Sequence, residues 1–458
     1  MASSRRSAPA DRRGDAVEAA VERALAGLAG RRIAVALSGG RDSTALLHAC
    51  TVVAPRHGIA LSAIHVHHGL SAHADAWAAA CERIAAGLGI PLAVRPIAVA
   101  NANALGVEAA ARQARYAALR SAARERAIDA IALAHHEDDQ AETLLLQALR
   151  GAGPHGLAAM AAEQRDPGGL AWVRPLLGVP RASIEAYVAR HELAFVDDDS
   201  NASPRHRRNA LRLDVMPTLE RSFPSAPHTL ARAAAHQSEA ALLLDDLALL
   251  DAAGSVRDGT LACAALAALA PPRARNLLRW FLRGHGLPAP SSARLSAMLD
   301  QLAAPRPDAE IRLDHAGVAL GVHRGRVHVH APAPAGYELR WQGELDIRLP
   351  HGVLAFVATT GEGLAADRVA SCAVTIAPRR GGERLALDAR RPRRALAAWL
   401  YDAALPAWQR DALPLVFCDG VLAAVPSLGT DLAWRAAPGG AGWRIEWQPA
   451  PLPSATIG

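Results

Sequence analysis

The residues best suited to chemistry in this chain form one short polar stretch, Ser38-Gly39-Gly40-Arg41-Asp42-Ser43. An apolar, β-prone run, residues 33–37, precedes the stretch, and a helix-favouring run, residues 44–49, follows it. Adjacent glycines allow a tight turn and a close approach to a ligand, and amides at the start of a helix attract anions. The pattern therefore predicts a strand-to-helix loop that holds a phosphate or pyrophosphate at the carboxyl edge of a sheet.

The sequence argues against two other nucleotide-binding loops. A Walker A loop requires a lysine, and the chain contains none. Gly151, Gly153 and Gly156 have the spacing of a dinucleotide fingerprint, but they follow a helical pattern where that fingerprint needs a strand. We therefore predict a loop over residues 151–160. An ordinary tight turn with a capping serine is the simpler alternative at 38–43, but the full pattern of that stretch is more specific than a Gly-Gly pair.

The stretch 38–43 resembles the pyrophosphate loop of the N-type ATP pyrophosphatases, the PP-loop family. In that family the loop holds the β- and γ-phosphates of ATP while a substrate oxygen attacks the α-phosphate. The resemblance implies that all six residues bind ATP and that adenylate transfer releases pyrophosphate. A second predicted strand, residues 61–70, carries His65 and His67 on one face, because side chains alternate along a strand. These histidines are interpreted as lining the nucleotide pocket; a metal site lacks matching ligands, and plain packing is the alternative.

A second candidate group follows another predicted strand, residues 127–134. It contains four acids within six residues, in the run Glu137-Asp138-Asp139-Gln140-Ala141-Glu142. Asp139 and Glu142 are three residues apart, so both carboxylates lie on one helix face. Acids at a helix start can simply complement the helix dipole. The strand-end position favours chemistry instead, because ATP brings Mg²⁺, which takes carboxylate oxygens. Asp42 and Asp139 are the predicted metal ligands.

The order of further motifs resembles that of the tRNA(Ile)-lysidine synthetase family over about residues 30–220. The matching motifs are His65 to Leu70, Glu108 to Tyr116, His136 to Thr143, Arg150-Gly151, Gly156-Leu157, Arg174 to Leu177, Asp199-Ser200-Asn201 and Arg208 to Arg212. One departure is the run Asp197-Asp198-Asp199, where the family usually shows one acid less. The resemblance implies an enzyme that joins L-lysine to the wobble cytidine of an isoleucine tRNA with a CAU anticodon, using ATP.

In such an enzyme the cytidine O2 attacks the α-phosphate of ATP, and the ε-amine of lysine then displaces AMP at C2. A carboxylate beside the lysine ammonium can both hold and deprotonate it. The predicted catalytic residues are Asp42, Asp139 and Glu142, and the predicted substrate contacts are Arg112, Arg208 and Asn209. For Arg112, which lies one turn from Glu108, a salt-bridged solvent face is the simpler alternative.

Length and composition indicate several domains in an α/β chain of 458 residues with a net charge of +6. We predict a basic tail and first helix (1–29), a doubly wound parallel sheet of the PP-loop type (30–222), a small, mainly helical substrate-binding domain (223–335) and a strand-rich α+β domain that binds tRNA (336–458). The five scattered cysteines and the lack of a long apolar run indicate a reducing cytoplasm and no membrane span. The sequence does not fix the oligomeric state, and a homodimer is compatible with it.

Seven arginines and two acids lie between residues 379 and 394, which concentrates most of the excess charge of the chain. A solvated face is the simpler alternative, but the concentration suits the backbone of an RNA. The predicted tRNA contacts are Arg205, Arg379, Arg380, Arg393 and Arg394.

Two alternative functions would use part of the same set of residues. Another tRNA-modifying enzyme of the loop family, such as a thiolase, needs reactive cysteines, and Cys50 and Cys81 lack a Cys-x-x-Cys spacing. A non-enzymatic, ATP-dependent RNA-binding module would need the arginines but not Asp139 and Glu142.

Overall fold

A computed structural model of the chain describes residues 15–67, 69, 73–97, 107–196, 207–304, 311–332, 334 and 336–450, and gives no side-chain positions for 107–109. The chain divides into two units, Met1–Leu243 and Leu244–Gly458, and each is described by itself. Several predictions lie outside the described residues: the basic tail before Asp15, the acidic run 197–199 and Arg205.

Strands and helices alternate in the first unit. Its strands are β1 (Arg32–Ala36), β2 (Ala60–His67), β3 (Leu92–Pro96), β4 (Ala130–Ala132), β5 (Glu163–Arg165) and β6 (Ala171–Val173). Its helices are α1 (Ala16–Leu25), α2 (Arg41–Val53), α3 (Ala74–Gly87), α4 (Val107–Glu125), α5 (Glu137–Ala148), α6 (Pro154–Leu157), α7 (Arg181–Arg190), α8 (Arg207–Ala210), α9 (Met216–Ser222) and α10 (Ala226–Ala252), of which α10 continues past Leu243. A π-helical turn, Leu211–Val215, joins α8 to α9. The predicted loop over 151–160 contains the short α6.

The sheet of the first unit has the order β3-β2-β1-β4-β6-β5, with every pair parallel except the edge pair β5 and β6. Alternation along β1 gives Ile33 and Val35 to one apolar core, shared with α1, α2 and α7, while Ala34 joins a second core that contains Leu119 of α4. Helices therefore cover both faces, which confirms the predicted doubly wound sheet.

Strand β1 is the switch point of this sheet. Chain connections leave it toward β2 and β3 on one side, whereas β4 and β6 lie on the other. A crevice opens at such a point, outside the carboxyl ends of the strands. The segments that follow β1 and β4 therefore meet at one edge, and these are the segments that carry the loop 38–43 and the acids 137–142.

The second unit contains a mixed portion followed by a strand-rich portion. The helices after α10 are α11 (Cys263–Ala268), α12 (Pro271–Gly284), α13 (Ser292–Ala303), α14 (Ala366–Ala370), α15 (Leu396–Asp402) and α16 (Ala407–Ala412). The strands are β7 (Val256–Arg257), β8 (Thr260–Ala262), β9 (Arg312–His315), β10 (Val318–His323), β11 (Arg326–His330), β12 (Leu339–Arg340), β13 (Asp346–Leu349), β14 (Gly352–Thr360), β15 (Leu364–Ala365), β16 (Val374–Ala377), β17 (Arg384–Leu385), β18 (Arg394–Ala395), β19 (Leu415–Cys418), β20 (Val421–Val425), β21 (Gly429–Thr430) and β22 (Ala441–Pro449). Their sheets have the orders β7-β8-β11-β10-β9, β12-β16-β19-β20-β21, β13-β14-β22-β15 and β17-β18. No helix in the described part of the chain is long and apolar enough to span a bilayer.

Three local sequence patterns make predictions that the structure tests: Asp419-Gly420 between two apolar runs predicts a type I′ turn, the two prolines within 222–227 predict a linker, and residues 393–403 predict a helix. The predicted type I′ turn at Asp419-Gly420 is confirmed, because both residues have positive φ, +47° and +77°. The linker expected over 222–227 is wrong in part, because α10 already begins at Ala226. The helix expected over 393–403 is also wrong at its start: Arg394–Ala395 form β18 and pair with β17, and the helix begins at Leu396.

Trp408 of α16 packs directly on strand β10. Its indole ring stacks on the imidazole of His330, with ring centroids 4.4 Å apart and planes 5° from parallel. A Cβ atom added at Gly321 would lie 2.4 Å from Cζ3 of Trp408. The glycine is therefore required because the ring occupies the space of a side chain, and this contact joins the mixed portion to the strand-rich portion.

Gly321→Ala is expected to destabilise the second unit by about 1–3 kcal/mol, because a rigid ring cannot yield to the added methyl group. Thermal unfolding followed by circular dichroism checks the prediction. Gly284→Ala is the matched control, because an added Cβ there meets no atom within 4 Å. An unchanged melting temperature for Gly321→Ala would show that the Trp408 contact contributes little.

Candidate active site

The polar loop 38–43 follows β1 and leads directly into α2. Gly39 has a φ of +88°, and Gly40 is the residue that precedes the helix. The Ser43 hydroxyl donates to the Gly40 carbonyl (2.9 Å) and lies 3.0 Å from the Ser38 hydroxyl. Val196 donates its amide to the Gly39 carbonyl (2.9 Å), so a second segment braces the turn. Ser43 is buried and holds the loop, and the backbone amides at the start of α2 are donors of the kind that attract anions.

The two strand histidines have different surroundings. His65 is buried and donates from Nδ1 to the Leu37 carbonyl (2.9 Å), immediately before the loop, and burial lowers its pKa. His67 pairs through Nε2 with Asp75 of α3 (2.9 Å). His65 therefore positions the strand end from which the loop starts, whereas His67 contacts a helix. Among the described residues, no three or more His, Cys, Asp or Glu side chains are grouped so that they could hold a metal ion.

The acidic pair projects from the first turns of α5, as the sequence predicted. Glu142 is 2% exposed, and Asp139 accepts a hydrogen bond from the His136 amide (3.0 Å), which caps the helix. The imidazole Nε2 of His136 lies 3.7 Å from a carboxylate oxygen of Asp42 and 3.7 Å from one of Asp139. His136 therefore links the loop after β1 to the helix after β4.

Two arginines from α8 and the π-helical turn enclose the acidic pair. Arg208 donates from Nε to Glu142 (2.7 Å) and from Nη2 to Asp139 (2.8 Å). Arg212 donates from Nε to Glu142 (2.7 Å) and from Nη2 to both Glu142 (3.1 Å) and Asp139 (3.2 Å). The four side chains form one network in which two guanidiniums donate to two carboxylates, and hydrogen bonds between charged groups of this kind are short and strong.

The carboxyl groups of the site differ in proton affinity. Burial raises the pKa of Asp42, and the nearby Asp139 raises it further, whereas His136 opposes the shift. Burial also acts to raise the pKa of Asp139, but His136, Arg208, His135 and the His136 amide outweigh it, so the pKa is lowered. Burial lowers the pKa of the adjacent His135 to about 3. At neutral pH Asp139 is therefore firmly ionised and His135 is neutral.

Comparisons with known proteins agree with this geometry. A family model described as a PP-loop domain matches residues 15–219, one described as a TilS substrate binding domain matches 261–328, and one described as a TilS substrate C-terminal domain matches 374–447. A tRNA(Ile)-lysidine synthase from Ralstonia nicotianae is 43% identical over 439 residues, which cover 91% of this chain and 93% of that protein. A tRNA(Ile)-lysidine synthase from Nitrosomonas europaea is 38% identical over 431 residues, and the alignment covers 92% of this chain and 93% of that protein.

The chain belongs to the tRNA(Ile)-lysidine synthase family. The sequence resemblance is thereby confirmed, and so is the PP-loop fold of the first unit. The family model for this fold contains the loop, the acidic pair and both arginines of the network within its 205-residue match, 15–219.

The structure brings together Asp42, Asp139, Glu142 and Arg208 among the predicted site residues. Arg112 lies on α4 with its guanidinium 5.7 Å from the ring centre of Tyr116. Asn209 follows Arg208 on α8. Arg41 pairs with Glu185 of α7, so it anchors the loop rather than projecting from it. The roles assigned to these residues stay predictions.

Sequence reasoning did not assign a role to Arg212. The available signal was its spacing from Arg208, since residues four apart share a helix face. It also missed His136 as the link between Asp42 and Asp139.

The cysteines count against the thiolase alternative, because burial raises the pKa of both Cys50 and Cys81 to about 12.

The arginine-rich segment of the second unit contains residues in unlike settings. Arg393 donates to Asp431, whose side chain is fully buried, at 2.9 Å, and Arg394 pairs with Asp402. Arg379 lies 3.9 Å from Glu383, and the exposed Arg380 pairs with Glu338 at 2.6 Å. The partner of Arg393 is therefore buried inside the fold, whereas Arg380 and its partner Glu338 are both exposed to solvent.

Asp42→Asn is expected to raise the melting temperature at neutral pH while damaging turnover. A raised pKa means that the folded protein disfavours the charged form, and this cost appears as the pH rises through the folded-state pKa. The stability gain of the variant should therefore shrink as the pH falls through the folded-state pKa of Asp42, and it should be gone below the pKa of the unfolded chain. Melting curves between pH 4 and 8 check the sign; a variant less stable than wild type at pH 8 contradicts it.

Proposed function

We propose that this protein ligates L-lysine to C2 of the wobble cytidine of an isoleucine tRNA with a CAU anticodon, through an adenylated cytidine, and releases AMP and pyrophosphate. The observation that carries the proposal is the meeting of two segments at the carboxyl edge of the sheet. His136 lies 3.7 Å from both Asp42 of the phosphate-type loop and Asp139 of the acidic pair. A nucleotide held by the loop is thus adjacent to carboxylates that suit an amine.

In the first step, adenylate transfer with release of pyrophosphate, the loop 38–43 is proposed to hold the phosphates of ATP. Backbone amides at the start of α2 point toward a bound anion and stabilise charge that develops on the phosphates. Ser43 and Val196 fix the turn by hydrogen bonds, so the amides need little rearrangement when ATP binds. Preorganisation of this kind is the main source of rate enhancement in phosphoryl chemistry.

In the second step, the attack by the lysine amine, Asp139 and Glu142 are the proposed participants. A lysine ammonium is held by carboxylates and must lose a proton before it attacks. In the network these carboxylates are shared with Arg208 and Arg212, whose guanidinium groups fix their orientation. Glu142, the more buried of the two, is the proposed base, and Arg208 and Asn209 are proposed contacts of the substrate.

Mg²⁺ fits Asp42 better than it fits Asp139. The Asp42 side chain is 39% exposed and has the His136 imidazole as its neighbour in this network, whereas the Asp139 oxygens accept from two guanidiniums and an amide. One carboxylate together with substrate phosphates is a common way for proteins to hold Mg²⁺. When bound, the ion would neutralise negative charge on the phosphates, and Asp42 would hold it at the loop.

The second unit is proposed to bind tRNA through its arginine-rich segment, and Arg205 is proposed to contact tRNA from the first unit. We further propose that the protein works in the cytoplasm, where its tRNA substrate and ATP are found. A homodimer is compatible with this function but is not required by it.

Products from α-labelled ATP, labelled lysine and total tRNA test the proposal. AMP and pyrophosphate should appear, and the lysine label should enter tRNA in equal amounts. ADP and phosphate would contradict the assignment to pyrophosphate release. Consumption of ATP without transfer of lysine, by contrast, would favour an RNA-binding module that uses ATP.

A further inference from the structure

A mostly apolar cavity of about 330 Å³ lies between α5 and the segment from α8 through the π-helical turn. Leu146, Leu149 and Val215 contribute its apolar lining, and Arg150 and Arg207 lie at its edge. None of the described residues that line it is acidic. We call it the α5–α8 cavity.

Its apolar side chains are unusually accessible. Leu149, directly after α5, is 78% exposed, and Val215, the last residue of the π-helical turn, is 40% exposed. Both residues line the same cavity, and apolar surface that is gathered in one place within a polar rim is typical of ligand-binding grooves. Both arginines are exposed, and in the part of the chain that the structure describes neither has a carboxylate partner. The cavity therefore suits a ligand with an apolar centre and an anionic edge.

The cavity is close to the acidic pair along the same helix. Leu146 follows Glu142 by one turn of α5, and Leu149 follows it by about 10 Å of helix rise. Across the cavity, Arg207 directly precedes Arg208, which donates to Glu142. A nucleotide next to the base undergoing reaction would be within reach of the cavity.

We infer that the α5–α8 cavity receives an unstacked base of the anticodon loop, the neighbour of the target cytidine, while Arg150 and Arg207 contact the flanking phosphates. Single-stranded RNA is recognised in this way, with bases placed on apolar or planar side chains and arginines along the backbone. The inference rests on the proposed function and adds to it a second point of contact with the same substrate.

The test uses the full chain and a synthetic anticodon stem-loop with the CAU anticodon, in which 2-aminopurine replaces the adenine after the target cytidine. Wild type should raise the probe fluorescence as the base leaves its stack. Leu149→Ala should remove most of that rise. Replacing Arg150 and Arg207 together by alanine should weaken binding about tenfold and reduce the log-log salt slope by about two, one unit for each phosphate contact.

Matched controls are Leu242→Ala, which removes a leucine 64% exposed on α10, and Arg124→Ala, which removes an exposed arginine at the end of α4. Neither should change fluorescence or affinity.

Unchanged binding and fluorescence in the cavity variants would overturn the inference. If the cavity variants lose self-association but bind RNA normally, the inference is also overturned, because a second copy of the protein would then occupy the cavity. Lysine transfer by wild type is measured in parallel: if it fails, the proposed function fails; if it succeeds while the cavity variants bind normally, only the cavity inference fails.

Discussion

Glu142→Gln should reduce lysine transfer by about 10³-fold at saturating substrates while leaving tRNA affinity within about twofold, if Glu142 is the base that takes the lysine proton. An amide has the shape of the carboxylate but cannot accept that proton. The substitution also removes one negative charge from a network in which Arg208 and Arg212 both donate to Glu142 at 2.7 Å. Turnover, the KM for lysine and tRNA affinity should be measured separately, because a base affects turnover whereas an ammonium-binding group affects KM.

The main competing explanation is loss of fold, because Glu142 is almost fully buried and its partners would be left with excess charge. Asp251→Asn provides a matched control in the second unit. The Asp251 side chain is 2% exposed and pairs with Arg273, so it is equal in burial and in partner type but lies outside the proposed chemistry. That variant should lose stability and keep its turnover. If Glu142→Gln retains turnover within tenfold of wild type, Glu142 is not the base.

The fold of the first unit was predictable because its signals are local. Apolar β-prone runs, each followed by a polar turn and a helix pattern, specify a parallel sheet with crossover helices. The position of Asp139 and Glu142 on one helix face followed from their spacing alone. Both segments lie after strands, so the meeting of the loop with the acids followed from the rule that ligands bind at the carboxyl ends.

The identity of the arginines that pair with Asp139 and Glu142 was not predictable in the same way. Arg208 and Arg212 are about 70 residues away along the chain, and nothing near Glu142 in sequence specifies which cations will neutralise it. The sequence placed Arg208 at the substrate, and the structure shows that its guanidinium also holds both carboxylates. The same limit applies to Arg394, because its two-residue strand β18 pairs with β17, which lies about ten residues earlier in the chain. Tertiary partners overrode a local helix preference at that point.

The contacts in the second unit also change how its arginines should be tested. Arg393 donates to Asp431, which is fully buried and accepts further hydrogen bonds from the amides of Ala386 and Ala433. Removing Arg393 leaves a buried carboxylate with amide donors but without its cation. A weaker tRNA complex of that variant would therefore mix lost phosphate contacts with lost structure.

Replacing Arg390 and Arg391 together by alanine is the cleaner experiment. Both are exposed; Arg391 lies 3.8 Å from Asp388, and the Arg390 amide caps the same carboxylate. If the segment binds the RNA backbone, the double variant should bind tRNA about tenfold more weakly and lose about two units of log-log salt slope, because each lost contact leaves its counterions in place. KM for tRNA should rise and turnover at saturating tRNA should stay nearly intact.

Two comparisons decide what the result means. Arg393→Ala should lower the melting temperature, because the fully buried Asp431 would lose its cationic partner, whereas the Arg390 and Arg391 variant should melt like wild type. Replacing Arg340 and Arg348, two exposed arginines on β12 and β13, removes the same charge outside the segment. If that control weakens tRNA binding as much as the Arg390 and Arg391 variant does, the effect comes from net charge. If only the Arg390 and Arg391 variant loses affinity and salt slope, the segment itself lies against the RNA backbone.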